Sequence, residues 1–285
     1  MSDELQENHG KKMPKAYENE DFLQSSDARS IRILSEYYEP LRRLKYYSIR
    51  DTVVFYGSAR IIPLKQARNE FKALEKRSAE RSHQDLKKEL DQAKHRLHVA
   101  EYYEQARELA RRLTEWSLSL KTQQRFVVCS GGGPGIMEAA NRGALEAGGR
   151  TVGMNISIPH EQYPNPYITE NLSFEFHYFF MRKFWFVYLA KALVIFPGGF
   201  GTMDELFELL TLLQTRKVTK PLCCIVYGSE FWNSIVNFEK MVEWGVISED
   251  DLKLFHLVDD VETAFETLKS HFEREFMQER EHLYL

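Results

Sequence analysis

The sequence predicts an α/β fold, a Rossmann-like doubly wound parallel sheet with a helical insertion and an N-terminal helix. Three observations carry that expectation. Apolar runs of strand length recur at 52–60, 125–130, 151–158, 172–180, 192–197 and 221–228. They are apolar with little alternation, as strands covered on both faces are. Helical stretches with apolar residues at three- and four-residue spacing separate them, which implies parallel strands joined by crossover helices. Two glycine clusters, "GGGPG" at 131–135 and "GGFG" at 198–201, fall where a strand passes into a helix.

Residues 1–24 lack an apolar period and are expected to form a flexible tail, leaving 25–285 as a single domain. From Ser25, "SSDARSIRILSEYYEPLRRLKYYS" reads as a helix with an N-cap candidate, which Pro40 should break or kink. "TVVFYGSAR" (52–60) is a strand ending in a turn at Gly57. Residues 64–120 are charge-rich and nearly free of glycine, one long helical region. Within it Leu86, Leu90, Ala93, Leu97 and Ala100 form a short heptad seam. The segment at about 64–100 reads as a helical hairpin, a helix pairing with another subunit, or an amphipathic helix on its own domain.

Beyond it the alternation begins. Strand 125–130 precedes a helix over 134–149 that a glycine pair closes. Strand 151–158 is followed by the loop "YPNPYIT". "LSFEFHYFF" contains a strand that runs into the helix "MRKFWFVYLAK". Strand 192–197 leads to the helix "GTMDELFELLTLLQTRK", and strand 221–228 to helices near 230–243, 248–254 and 259–280.

Composition bounds the function. The 285 residues are 43% hydrophobic and 13% aromatic, with a formal net charge of -4, which gives no drive toward nucleic acid or anionic membranes. No apolar run approaches the roughly 20 residues of a bilayer span, and residues 1–20 lack the pattern of a secretory leader. Cys129, Cys223 and Cys224 lie in strand-like runs. His160, His177 and His256 show no metal-ligand spacing. The expectation is a cytoplasmic protein without metal or cofactor, nucleic-acid partner or membrane contact.

Ligands of open parallel sheets bind outside the carboxyl ends of the strands, near a switch in strand order. Both glycine clusters lie at that end. Each offers bare N–H groups and a helix N-terminus, suited to a phosphate. The candidate phosphate-binding residues are Gly132, Gly133 and Gly135 in the first loop, and Gly198, Gly199, Gly201 and Thr202 in the second. A β-branched residue at 199 or 201 would fill the phosphate's space and meet a positive φ. Thr202 can add a hydroxyl or cap its helix. Neither loop has the lysine and hydroxyl pattern of a P-loop. The first strand turn contributes Gly57, Ser58 and Arg60, with Arg60 either closing the pocket or lying on the surface.

"PGGFGTMDE" fits the pattern PGGxGTxxE, and "GGGPGIMEAANRGA" with "MRK" (181–183) completes a set that resembles the Lonely Guy family, also labelled possible lysine decarboxylases. The resemblance covers about 50–280 and looks more like longer bacterial members. It implies a phosphoribohydrolase that splits a nucleoside 5′-monophosphate, AMP or a related and cytokinin-type nucleotide, into free base and ribose 5-phosphate. It also implies a homodimer or higher homo-oligomer. The family's motif arginine maps to Arg182 and its motif glutamate to Glu205, both implied to act on the ribose and its glycosidic bond. Lys183 is a further candidate for phosphate contact. Two departures bear on base preference: Glu138 replaces a glycine of plant-type members, and Met181 a histidine. A carrier reading, for which molybdenum-cofactor carriers of the superfamily set a precedent, needs the glycine loops but not the Arg182–Glu205 pair. Lysine decarboxylation would require a pyridoxal phosphate lysine, and no such site is recognisable.

For each candidate a plainer role stands beside the chemical one. Glu205 can cap its own helix as the far member of a capping box. Arg182 can be a simple ion pair at a helix start. The aromatic stretch 174–188 suits a core or a subunit interface as well as a base platform.

Overall fold

In the computed structural model, residues 13–80, 84–120, 125–159 and 163–277 are described. Residues 1–12 of the expected tail and His160 lie outside them. The chain divides into two compact units, Met1–Arg42 and Arg43–Leu285.

Within the first unit, a 3-10 turn at Ala16–Glu18 and a helix α1 at Glu20–Gln24 occupy the segment expected as tail. The cause is local: the Asn19 side chain accepts the Phe22 N–H at 3.2 Å and caps α1. Helix α2 (Arg29–Tyr46) runs through Pro40 as one helix, so of the expected break or kink the break does not occur. A proline removes one i→i−4 bond, and an 18-residue helix keeps its other turns.

The second unit holds a seven-stranded, all-parallel sheet in the order β4-β3-β2-β1-β5-β6-β7. The strands are β1 Thr52–Tyr56, β2 Val127–Ser130, β3 Thr151–Ile156, β4 Ser173–Phe176, β5 Ala190–Ile195, β6 Cys223–Tyr227 and β7 His256–Val258. The chain winds outward from β1 to β4, then returns to β1's other edge with β5. The switch in strand order therefore lies between β1 and β5, where an open sheet parts its crossover helices and leaves a crevice.

One face of the sheet is covered by α5 (Glu101–Ser119), α6 (Ile136–Glu146) and α11 (Val261–Phe272). Val53, Phe55, Val128 and Ile225 point into that core with Tyr103, Leu109 and Leu268. The opposite face carries α7 (Phe179–Leu189) and α8 (Phe200–Gln214). Trp185, Phe186, Leu206 and Leu209 are buried there. Insertion residues form α3 (Leu64–Glu80) and α4 (Gln84–Val99), a hairpin ahead of α5. Ala93 and Ala100 of the heptad seam are buried, and Leu90 and Leu97 half-buried.

Two elements depart from expectation near the carboxyl terminus. Strand β7 went unrecognised because it has three residues, and His256 and Leu257 of it are exposed. The helix expected over 230–243 is two helices, α9 (Ser229–Ile235) and α10 (Phe238–Glu243), separated where the Asn237 side chain accepts the Lys240 N–H at 2.8 Å. No helix among the described residues is long and apolar enough to cross a membrane.

Candidate functional site

The site is built around the carboxyl end of β1. Its turn, Gly57–Ser58, is held between both glycine loops by its own backbone. Ser58 donates its N–H to the Pro197 carbonyl (2.9 Å) and accepts the Ile136 N–H on its carbonyl (3.1 Å). A Cβ at Gly57 would lie 2.7 Å from the Ile136 side chain, so glycine is needed there for the first loop to dock. Gly135 has φ +71°, and a Cβ on it would come within 2.2 Å of the Ser58 carbonyl oxygen. Both geometry and space require glycine at that position.

The first loop is fixed from below by buried polar side chains that the sequence reading did not single out. Asn165 donates through Nδ2 to the carbonyls of Gly132 and Gly133 and to Asn141 Oδ1, each at 3.0 Å. Ser130 donates to Asn141 Oδ1 (2.6 Å) and accepts the Gly132 N–H (3.0 Å). Asn155 packs its amide against Gly132, whose φ is +75°, and donates to Ser173 Oγ (3.3 Å) and the Phe174 carbonyl (3.0 Å). The legible signal was a polar residue inside an otherwise apolar strand, as at Ser130 and Asn155. Such a residue stays buried when it is hydrogen-bonded.

The second loop differs. Gly198 lies against Thr202, to whose Oγ1 a Cβ at 198 would approach within 2.1 Å. Gly199 is the N-cap of α8 with φ −91°, and Gly201 is not among the residues of positive φ. The expectation of positive φ at both is thereby corrected. A Cβ at either would meet nothing within 4 Å. The fold itself thus sets no steric demand for glycine at 199 or 201. Between them Phe200 is 96% exposed. No side chain caps α8, so Thr202 is free of that role, and its residue is buried.

Above β1 the two charged candidates meet. Arg182 Nη2 lies 3.5 Å from Glu205 Oε1, with the side chains only 14% and 8% exposed. A Cβ at Gly131 would lie 4.0 Å from Arg182 Nη1, so the guanidinium borders the first loop as well. Phe179 and Phe186 flank it at 5.2 and 5.6 Å from their ring centroids. Its Nε is buried without a hydrogen-bond partner among the described residues. Glu205 stands well beyond the first turn of α8, too deep to cap the helix, and its carboxylate faces Arg182 instead. Burial raises the Glu205 carboxyl from 4.5 to about 7, against the opposing pull of Arg182 and Lys183. Tyr56, the last residue of β1, points to the same face and packs edge-on against Phe186 at 5.1 Å. Burial and Glu205 raise its phenol well above the ordinary range.

Two candidates do not join this group. Lys183 binds Asp204 at 2.7 Å and Glu208 at 3.0 Å on the outer side of α7 and α8. Its charge ties the two helices together. Arg60 is exposed and its backbone N–H bonds Ser58 Oγ at 3.1 Å. Glu138, at the position of the first departure, accepts the Tyr103 hydroxyl at 2.6 Å and so points toward α5. Among the described residues no three His, Cys, Asp or Glu side chains converge as metal ligands would.

The arrangement can hold an anion at the start of α8, where Gly199, Phe200 and Gly201 are exposed, and place a carboxylate, beside a guanidinium, one helical turn away. Residues 137–268 match the family model "Possible lysine decarboxylase". Among curated proteins, a cytokinin riboside 5′-monophosphate phosphoribohydrolase of Arabidopsis thaliana is 28% identical over 150 residues, 52% of this chain and 65% of the relative. A pyrimidine/purine nucleotide 5′-monophosphate nucleosidase of Escherichia coli (strain K12) is 37% identical over 98 residues, 30% of this chain and 20% of the relative. Both alignments span less than two thirds of the relative's length. A solved molybdenum-cofactor carrier protein of Chlamydomonas reinhardtii superposes with TM-score 0.44 at 17% identity, over 79% of this chain and 99% of the carrier. At that score the likeness carries no functional information.

Proposed function

We propose that this chain, a member of the possible lysine decarboxylase family through residues 137–268, hydrolyses the N-glycosidic bond of a nucleoside 5′-monophosphate. The products are free base and ribose 5-phosphate. The observation that carries the reading is the buried Arg182–Glu205 pair at 3.5 Å, set between two glycine loops at the switch in strand order. Relatives named as nucleotide-cleaving hydrolases support it.

In this reading the 5′-phosphate rests on the N–H groups of Gly199–Thr202 and of Gly133 and Gly135, the Gly132 N–H being held by Ser130 Oγ. That anchorage leaves the ribose facing Glu205. Cleavage develops positive charge on the ribose ring, which a carboxylate stabilises. The oxygen of a water forms a bond to C1′ as the bond from C1′ to the base nitrogen breaks. Glu205 accepts the water's proton, the base leaves with the bonding pair and takes a proton from solvent, and Glu205 gives its proton back to solvent. A carboxyl poised near 7 is matched to that proton transfer at neutral pH. Arg182 holds Glu205 in place and offsets the burial that resists its ionisation.

The outer face of α7 supports a homodimer. Phe179, Phe180, Phe184 and Tyr188 are 52%, 54%, 38% and 46% exposed along one helix. A cavity of about 570 Å³ opens beside them. Three buried, unpaired cysteines suit a reducing compartment, and we place the protein in the cytoplasm.

The test is the requirement for phosphate. Incubated with AMP and with adenosine, the pure protein should release adenine from AMP alone. Equal release from both would remove the phosphate loops from the mechanism. Tight AMP binding without release would leave a carrier.

A further inference from the structure

A second cavity lies between the start of α3, α5 and α6. Its volume is about 750 Å³, within the range of small-molecule sites. Lys65, Arg68, Lys72, Arg107 and Arg142 line it, facing only two carboxylates, Glu70 and Glu104. This is a strong local excess of positive charge on a chain whose formal net charge is -4.

The carboxylates are already engaged. Glu104 accepts the Leu64 N–H at 3.2 Å, closing the amino end of α3, and pairs with Arg107 at 3.3 Å. Glu70 accepts from Gln66 at 3.0 Å. Arg107 and Arg142 form the back wall and share the Glu146 carboxylate, at 2.6 and 2.9 Å. What remains is Lys65, Arg68 and Lys72, which make no hydrogen bond or ion pair among the described residues. They stand three and four residues apart, hence on one side of α3. Like charges at that spacing weaken a helix. Among the described residues no ion pair engages them, whereas Glu104, Arg107 and Arg142 are ion-paired and Glu70 is hydrogen-bonded to neutral Gln66.

We propose that this cavity binds a small polyanion carrying two or more linked phosphate groups. Three exposed cations spaced along two turns of helix match a chain of phosphates better than a single one. A free polyphosphate and the phosphate tail of a nucleotide share that chemistry. The site stands apart from the glycine loops, whose anion contacts are backbone N–H groups, and does not depend on the reaction proposed above.

Calorimetric titration with tripolyphosphate, orthophosphate and ATP tests the assignment. The three proteins to compare are the wild type and two variants, Lys65→Ala/Arg68→Ala/Lys72→Ala and Gly199→Val. Alanine is the strongest helix former, so the triple variant keeps α3, which circular dichroism verifies. Wild type should bind tripolyphosphate at least about tenfold more tightly than orthophosphate, and the triple variant should lose about tenfold or more. Gly199→Val should retain that binding. ATP binding at this site points to a nucleotide as the natural ligand, and its failure to bind points to free polyphosphate. No tripolyphosphate binding by the wild type up to about 1 mM would overturn the proposal. So would equal affinity for the two inorganic anions, or binding that survives in the triple variant and is lost in Gly199→Val.

Discussion

Glu205 combines a functional expectation with a cost to folding. Its carboxyl titrates near 7 in the folded chain against an ordinary 4.5, because burial penalises the charge more than Arg182 relieves it. The folded state therefore binds this proton more tightly than the unfolded one. The stability it contributes is fully present below about pH 4.5 and is lost as pH rises through about 7, a change of about 3 kcal/mol. Glu205→Gln cannot titrate. Denaturant unfolding at pH 4.5 and pH 8 should show the difference between variant and wild type moving by about 3 kcal/mol in the variant's favour. A parallel pH dependence of the two proteins would mean the carboxyl is not shifted. The proposed reaction requires the ionised form, so kcat/KM of the wild type should rise with pH to a plateau above about 7. The variant should lose roughly 10²-fold or more in kcat, with nucleotide affinity kept within a few-fold.

At the level of the elements, the two glycine loops look alike in sequence and differ in what demands the glycines. At Gly135 the demand comes from the chain: φ is +71° and the Ser58 carbonyl leaves no room. At Gly199 and Gly201 the chain leaves the space open. Gly135→Ala should thus lower stability by about 2 kcal/mol or more. Gly199→Val or Gly201→Val should unfold within a few degrees of wild type yet fail to bind ribose 5-phosphate. Thermal melts and a binding titration on the three variants separate these outcomes. Loss of stability at 199 would show that the second loop, too, is glycine-rich for packing.

The sheet was legible because buried parallel strands are continuous apolar runs, and six of its seven strands exceed three residues. Strand β7 is too short and too exposed to carry that signal. The loops were legible from glycine spacing, and Arg182 and Glu205 from the resemblance. Asn141 and Asn165 were not, since a polar residue in a helix or loop looks solvent-facing until its partners are known. Lys183 misled for a related reason. Adjacency to Arg182 says nothing about direction, and successive helical residues diverge by about 100°.

For the molecule as a whole, α7 sets the expected assembly. It buries Trp185 and Phe186 on the sheet and leaves Phe180 and Tyr188 half-exposed. A contiguous aromatic strip of this kind marks an interface more often than a bare surface. Light scattering at about 10 µM should give a dimer mass for the wild type, and a monomer for Phe180→Glu/Tyr188→Glu. A wild-type monomer would defeat the assignment of this face.

Ser58 ties the site into one mechanical piece. Its two backbone groups are spent in opposite directions, one on Pro197 and one on Ile136, so the loops share a single rivet at the end of β1. Neither can swing out while that rivet holds. If the proposed function holds, a nucleotide arriving there would meet a cradle already set, with little to freeze and little to rearrange. Capture should then be governed by how often the two molecules collide in the right orientation, and selectivity by shape the protein possesses before its ligand arrives.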